Sequence, residues 1–216
     1  ELVGVIDSEV FTSVKRHGAR GDGETDDTAA IQAALDSMDR GGTIYFPPGV
    51  YMVSSDISVP SNVAVVGDQG NAAIKRKPTN ATEYNVFVAD GVENVSFRGL
   101  IIMGERNQHT GTAGEWGMGI GLYSVNGATV RDCEIVECWG DGVYIGSNTN
   151  YVPCKNIIIA DTTINGNRRN GVSVINADGF IIRDCVIWNN GGTAPEHGVC
   201  FECNETSEYV KNARVL

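Results

Sequence analysis

The acid–base chemistry this sequence could support is concentrated in its second half, in Asp141, Tyr144, His197 and Glu202, with Arg168 and Arg169 between them. Asp141 and Glu202 as paired carboxylates suit an inverting hydrolase, where one protonates the leaving oxygen and the other activates water. Abstraction of a proton beside a carboxylate needs instead a base and a cation to neutralise that carboxylate. Tyr144 or His197 would then move the proton and Arg169 would neutralise the charge. Arg168, Trp116 and Ser173 are the remaining candidate substrate contacts. The same residues also suit ordinary turn chemistry: Asp141 precedes Gly142, His197 is within reach of Asn170, and Arg168-Arg169 reads as a solvated corner.

What must position these residues is a repeat. Asn62-Val63-Ala64-Val65-Val66-Gly67 is echoed by segments starting at Asn94, Gly127, Asn156, Gly179 and Asn212, at spacings of 32, 33, 29, 23 and 33 residues. Such uneven periods fit coils whose turns absorb the differences. Stacked copies put Val65, Phe97, Val130, Ile159, Ile182 and Val215 in one apolar column and Ile102, Ile135, Ile164 and Ile187 in another, both inward by strand alternation. Asp132, Asp161 and Asp184 form a corner column expected to bond local backbone. A second strand recurs as Gly142–Ile145, Gly171–Val174 and Gly198–Phe201, with Gly119–Leu122 an earlier copy. It leaves Tyr144, Ser173 and Cys200 outward, each copy preceded by a polar residue: Asp141, Asn170, His197. With coils ~4.8 Å apart, Asp141 and His197 sit roughly 9–10 Å from one another. These outward columns are where a sugar polymer would lie, and the polar loop 104–118, with His109, Glu115 and Trp116, would overhang them.

The opening of the chain carries a different signature. Gly21-Asp22-Gly23 is a tight turn, and Thr25-Asp26-Asp27-Thr28 offers caps and negative charge to a short Ala-rich helix ended by Gly41-Gly42. Thr43–Phe46 and Tyr51–Val53 read as a strand pair around Pro47-Pro48-Gly49. His17-Gly18-Ala19-Arg20-Gly21-Asp22-Gly23, Asp26-Asp27-Thr28, Ala30-Ile31-Gln32 and Phe46-Pro47-Pro48-Gly49-Val50-Tyr51 together resemble the opening of the pectate-lyase-like superfamily. The resemblance implies an all-β fold, a single-stranded right-handed parallel β-helix with a short N-terminal capping α-helix. Phage tail spikes and appendages, polysaccharide lyases, glycosidases and mannuronan epimerases share it. It implies a polysaccharide partner, an extracellular or virion-surface setting and, in a tail-spike context, a homotrimer. The epimerases of this superfamily carry Asp-Pro-His where this chain has Tyr144-Ile145-Gly146. Its polygalacturonases carry Gly-His-Gly, where Gly140-Asp141-Gly142 has Asp for His and Glu196-His197-Gly198 lacks the first Gly, so neither activity carries over. The expected function is a carbohydrate-active domain acting as lyase, hydrolase or epimerase. The competing reading is a non-catalytic glycan-binding or structural module.

At 216 residues and net charge −11 the chain is one domain by length and a poor non-specific partner for nucleic acid or an anionic membrane. No apolar run is long enough to span a bilayer. The domain is expected over 14–216, truncated at its C-terminal end, after a linker or upstream segment at 1–13. Six cysteines follow the repeat and read as reduced, packed thiols, and Cys200-Phe201-Glu202-Cys203 lacks the partners for zinc. Asp22, Asp26 and Asp27 read as turn and cap residues rather than calcium ligands. Neither a metal nor a cofactor is expected. Asn80, Asn94 and Asn204 stand in glycosylation sequons.

Overall fold

A computed structural model of the chain describes residues 10–216. The expected upstream segment therefore lies largely outside the described residues, and Phe11–Ser13 already form the first strand. The strands build three parallel sheets of eight, seven and six members, each stacked in chain order. Each coil gives one strand to each sheet, which is the parallel β-helix expected from the repeat. The pairings reproduce both apolar columns: Val65, Phe97, Val130, Ile159, Ile182 and Val215 are successive partners in the first sheet. Ile102, Ile135, Ile164 and Ile187 do the same in the second. All but the last coil's members are buried, so the core is a stack of aliphatic rungs with Phe46, Phe87 and Phe97 in its first half.

The residue that opens each repeat is Asn or Gly for a backbone reason. Asn62, Asn94, Asn156 and Asn212 have φ between 52° and 62°, and Gly127 and Gly179 stand at 85°. Only Gly, and with less ease Asn or Asp, adopts this left-handed region without a Cβ clash. The Asn side chains then ladder between coils, as in the 3.0 Å bond from Asn94 Nδ2 to Asn62 Oδ1. Asp132, Asp161 and Asp184 occupy the next corner, again with positive φ. Their carboxylates meet arginines rather than local backbone, against expectation. Arg98 reaches Asp132 at 3.2 Å and Arg131 reaches Asp161 at 3.2 Å, so each pair ties one coil to the next.

The opening stretch closes the N-terminal end. Helix α1 (Thr28–Asp36) buries Ile31, Ala34 and Leu35 and stands where the first coil would otherwise supply a strand to the third sheet. Gln32 completes the closure: its side-chain amide donates to Ser58 O at 3.1 Å and accepts from Ser58 N at 2.9 Å, imitating a neighbouring strand. An open sheet edge is thereby satisfied. The helix stops at Asp36, before the glycines expected to end it. Gly41 and Gly42 serve a close approach instead, because a Cβ on Gly42 would fall 2.2 Å from Val10 O. The expected strand pair Thr43–Phe46 and Tyr51–Val53 is a corner, not a hairpin, since Gly42–Phe46 lies in the first sheet and Gly49–Val53 in the second.

The acidic cluster is fully used by the turn. Asp27 accepts from Arg20 N and Gly21 N at 2.6 and 2.9 Å, Asp26 from Thr28 N at 3.1 Å, and Asp22 from Glu24 N and Thr25 N at 3.0 and 2.7 Å. These bonds pull Asp22 down to about 2. All six cysteines are free thiols. Burial pushes Cys133 and Cys154 up to about 11, which keeps them protonated and unreactive. No helix among the described residues is long and apolar enough to cross a membrane.

Candidate functional site

The third sheet carries the site. Its strands are Ile57–Ser58, Glu83–Asp90, Trp116–Tyr123, Val143–Gly146, Val172–Val174 and Val199–Phe201. Pairing aligns Asn85 with Met118, and Gly121, Tyr144, Ser173 and Cys200 across successive coils. The outward side of this sheet holds a groove of about 550 Å³ whose walls include Asp56, Asn85, Trp116, Tyr123 and Tyr144. A smaller cleft of about 230 Å³, lined by Thr82, Glu83, Gly114, Glu115 and Trp116, continues it past the Trp116 ring. Trp116, 53% exposed, divides the two.

The aromatic floor follows from where glycine stands. Tyr123 and Tyr144 lie 5.4 Å apart between ring centroids. A Cβ on Gly121 would come within 2.2 Å of Asn85 Oδ1 and 2.6 Å of the Tyr123 ring, and one on Gly146 within 2.6 Å of the Tyr144 ring. Glycine on the outward side thus lets the two rings lie over the sheet instead of standing off it. Behind them Asn85 donates to Asp56 Oδ2 at 3.0 Å and accepts from Tyr123 OH at 3.4 Å, while Arg76 pairs with Asp56 and packs over the Tyr84 ring.

Asp141, expected to face outward, is 0% exposed. Its Oδ1 accepts from Asn170 N at 2.9 Å, and Oδ2 accepts from Ser173 Oγ at 2.7 Å and Arg169 Nη1 at 3.2 Å. Asn170 repeats the pattern one coil on, its Oδ1 accepting from His197 N at 2.8 Å. Asp141 and Asn170 thus form a staircase in which each side chain satisfies the backbone of the next coil, Asn170 N and His197 N in turn. Burial raises the Asp141 carboxyl above its ordinary range, despite the opposing pull of Ser173, Arg169 and Asn170. Ser173 is buried beneath it, also against the expected outward placement. Asp141 and Ser173 brace the site without reaching solvent.

Arg169 is the hub. Nη1 meets Asp141, Nε meets Glu115 Oε2 at 3.5 Å, and Nη2 meets Glu202 Oε2 at 3.6 Å. The guanidinium is 12% exposed, whereas Glu115 and Glu202 are 42% and 48% exposed. Three carboxylates from three coils therefore converge on one cation, and two of them are partly open to solvent. Tyr144 stands beside this cluster, and burial together with the nearby Glu208 carboxylate pushes its phenol up to about 12. Arg168 turns away. Its guanidinium packs 3.8 Å over the Trp139 ring and donates to Gly114 O at 2.8 Å. The His197 side chain is exposed and joins no part of the cluster. Among the described residues no group of side chains is arranged to hold a metal ion.

Of the sequence candidates, the structure brings together Asp141, Arg169, Glu202, Ser173 and Tyr144, with Trp116 at the groove edge, and separates Arg168 and His197 from them. Tyr123, Asn85 and Asp56 were missed as site residues, while Glu115 was read only as part of the overhanging loop. Asn85 had a readable signal, because it stands two positions before the core-facing Phe87, as Asp141 does before Val143.

A family model described as rhamnogalacturonase A/epimerase, pectate lyase-like, matches residues 11–108. The pre-neck appendage protein of Bacillus phage phi29 is 29% identical over 97% of this chain and 26% of its own length. Mannuronan C5-epimerase AlgE1 of Azotobacter vinelandii is 30% identical over 83% of this chain and 15% of its own. The A-module of the epimerase AlgE4 from the same organism superposes with a TM-score of 0.73 at 21% identity, covering 94% of this chain and 58% of that one. These likenesses fit the pectate-lyase-like parallel β-helix superfamily that the opening residues resemble. It spans well under half the length of the curated relatives it matches.

Proposed function

We propose that this β-helix domain engages a polysaccharide, and that the polymer lies across the strands of the third sheet, over Trp116, Tyr123 and Tyr144. The observation that carries the reading is the aromatic floor itself. Three rings are presented toward solvent in one groove, two of them lowered onto the sheet by glycine, with amide and carboxylate groups alongside. A ring with an apolar face and a polar edge suits the apolar face and hydroxyl rim of a sugar. The similarity to a phage appendage protein supports a virion-surface setting for such a groove.

If the site also turns its polymer over, hydrolysis fits better than elimination or epimerisation. Those two need a cation free to neutralise a uronate carboxylate, and Arg169 is already shared among Glu115, Asp141 and Glu202. A phenol pushed up to about 12 also keeps its proton at neutral pH, so Tyr144 serves as a platform and donor rather than a base. Two exposed carboxylates on one guanidinium stand within roughly 10 Å of each other, the range that glycoside hydrolysis uses.

Affinity electrophoresis through gels containing bacterial and plant polysaccharides tests the binding reading. Tyr144→Ala and Trp116→Ala should each weaken retardation by about tenfold in affinity, some 1.4 kcal/mol, and unaltered mobility of both variants in every gel that retards the parent chain would refute it. Release of reducing ends without unsaturated product, lost in Glu202→Gln while binding persists, would support hydrolysis.

A further inference from the structure

The charge around the groove selects among glycans. Asp56 and Glu83 line it, Glu115 lines the adjoining cleft, Glu202 meets Arg169 with roughly half of its side chain in solvent, and the buried Asp141 meets the same arginine. Against these five carboxylates there are two cations, and neither is free. Arg76 is buried, paired with Asp56 and covered by the Tyr84 ring. Arg169 is shared among three carboxylates. Arg168 is stacked on Trp139 and donates to the Gly114 and Trp139 carbonyl oxygens. A polyanion laid over the rings would meet exposed like charge with no counter-ion to receive it, and a low-dielectric floor strengthens that repulsion.

We infer that the groove takes a polysaccharide free of acidic groups and favours one carrying amines, a polymer of unacetylated amino sugar, over polyuronates. This rests on the binding reading above and adds to it the chemical class of the ligand. An ammonium on a ring seated against Trp116 would fall between Glu83 and Glu115, which flank that ring in the smaller cleft. Neither carboxylate is buried, so each can approach the ligand without first giving up its water.

Three hexasaccharides separate the outcomes: a neutral glucose oligomer, a galacturonate oligomer and a glucosamine oligomer, titrated into the full chain by calorimetry at low and high salt. The glucosamine oligomer should bind at least about tenfold tighter than the neutral one at low salt and lose that margin at high salt, and the galacturonate oligomer should bind weakest. The double variant Glu83→Gln, Glu115→Gln should lose the amine preference, so that the glucosamine oligomer binds no tighter than the neutral one. The variant Glu134→Gln, which removes an exposed charge from the second sheet, should change nothing. Galacturonate bound as tightly as the others, or an amine margin that survives the double variant or falls equally in Glu134→Gln, would overturn the inference and leave the binding reading standing. Failure of all three oligomers to bind would instead overturn the binding reading and the inference with it.

Discussion

Arg169 and Asp141 decide how the site behaves as a set of residues. Removing the cation by Arg169→Met leaves a fully buried carboxylate with only Ser173 and a backbone amide, and should cost about 3–5 kcal/mol in denaturant unfolding. Adding Asp141→Asn should recover much of that loss, because the uncompensated charge goes with it. Asp141 also predicts a pH dependence. Burial raises its folded value above the unfolded one. Below the unfolded value, about 4, the group is protonated in both states. As pH rises through the window up to its folded value, the folded chain holds the extra proton, so stability falls. Thermal melts at stepped pH should therefore show the parent losing stability across that window more steeply than Asp141→Asn. The sequence marked Asp141 as polar and placed in the right column, but not that it points into a staircase. A carboxylate before Gly142 looks the same whether it meets sugar or the amide of Asn170, and what separates the cases is a neighbour 29 residues away.

Among the elements, the loop from Gly104 to Gly114 sets the height of the groove wall. Glu105 and His109, both with buried side chains, meet at 3.0 Å, and the His109 ring stacks on Trp139 at 3.6 Å between centroids. Arg168 lies 3.8 Å from the same Trp139 ring. Two groups that close to one ring cannot share a face, so Trp139 is clasped between the loop and the turn before Val172–Val174. Arg106 adds a second anchor by donating to Gly166 O and Gly191 O, both at 2.7 Å. Arg168→Ala removes one face of the clasp. Hydrogen exchange should then quicken at the amides of Thr110 and Trp116, which bond Thr79 and Thr82 carbonyls, while the far-ultraviolet circular dichroism of the coils stays unchanged. Binding that depends on Trp116 should weaken by about tenfold alongside. Exchange as slow as in the parent would mean that the clasp does not hold the loop. The length and polarity of 104–118 announced a special segment, yet its anchors to the coils are pairs 30 to 85 residues apart, beyond any local pattern.

At the scale of the whole molecule, stability is spread along a stack in which each coil touches its neighbours. Phe97 packs against Phe87 at 5.4 Å and stands between Val65 and Val130 in the first-sheet column. Phe97→Ala should cost about 3–5 kcal/mol in equilibrium unfolding, while Glu134→Gln on the exposed second-sheet surface should leave the midpoint within about 0.5 kcal/mol of the parent. The fold was legible because the same two constraints recur in every coil: an apolar residue inward, and Asn, Asp or Gly where the chain turns with positive φ. The groove was less so, since Tyr123 and Tyr144 become a floor only when Gly121 and Gly146 are stacked beside them. The most direct measurement is a crystal structure of the chain soaked with a neutral or amine-bearing hexasaccharide. Sugar rings should stack on Trp116 and on the Tyr123–Tyr144 pair, with no contact to Asp141. Ordered sugar on the first or second sheet, with the third-sheet groove empty, would contradict it.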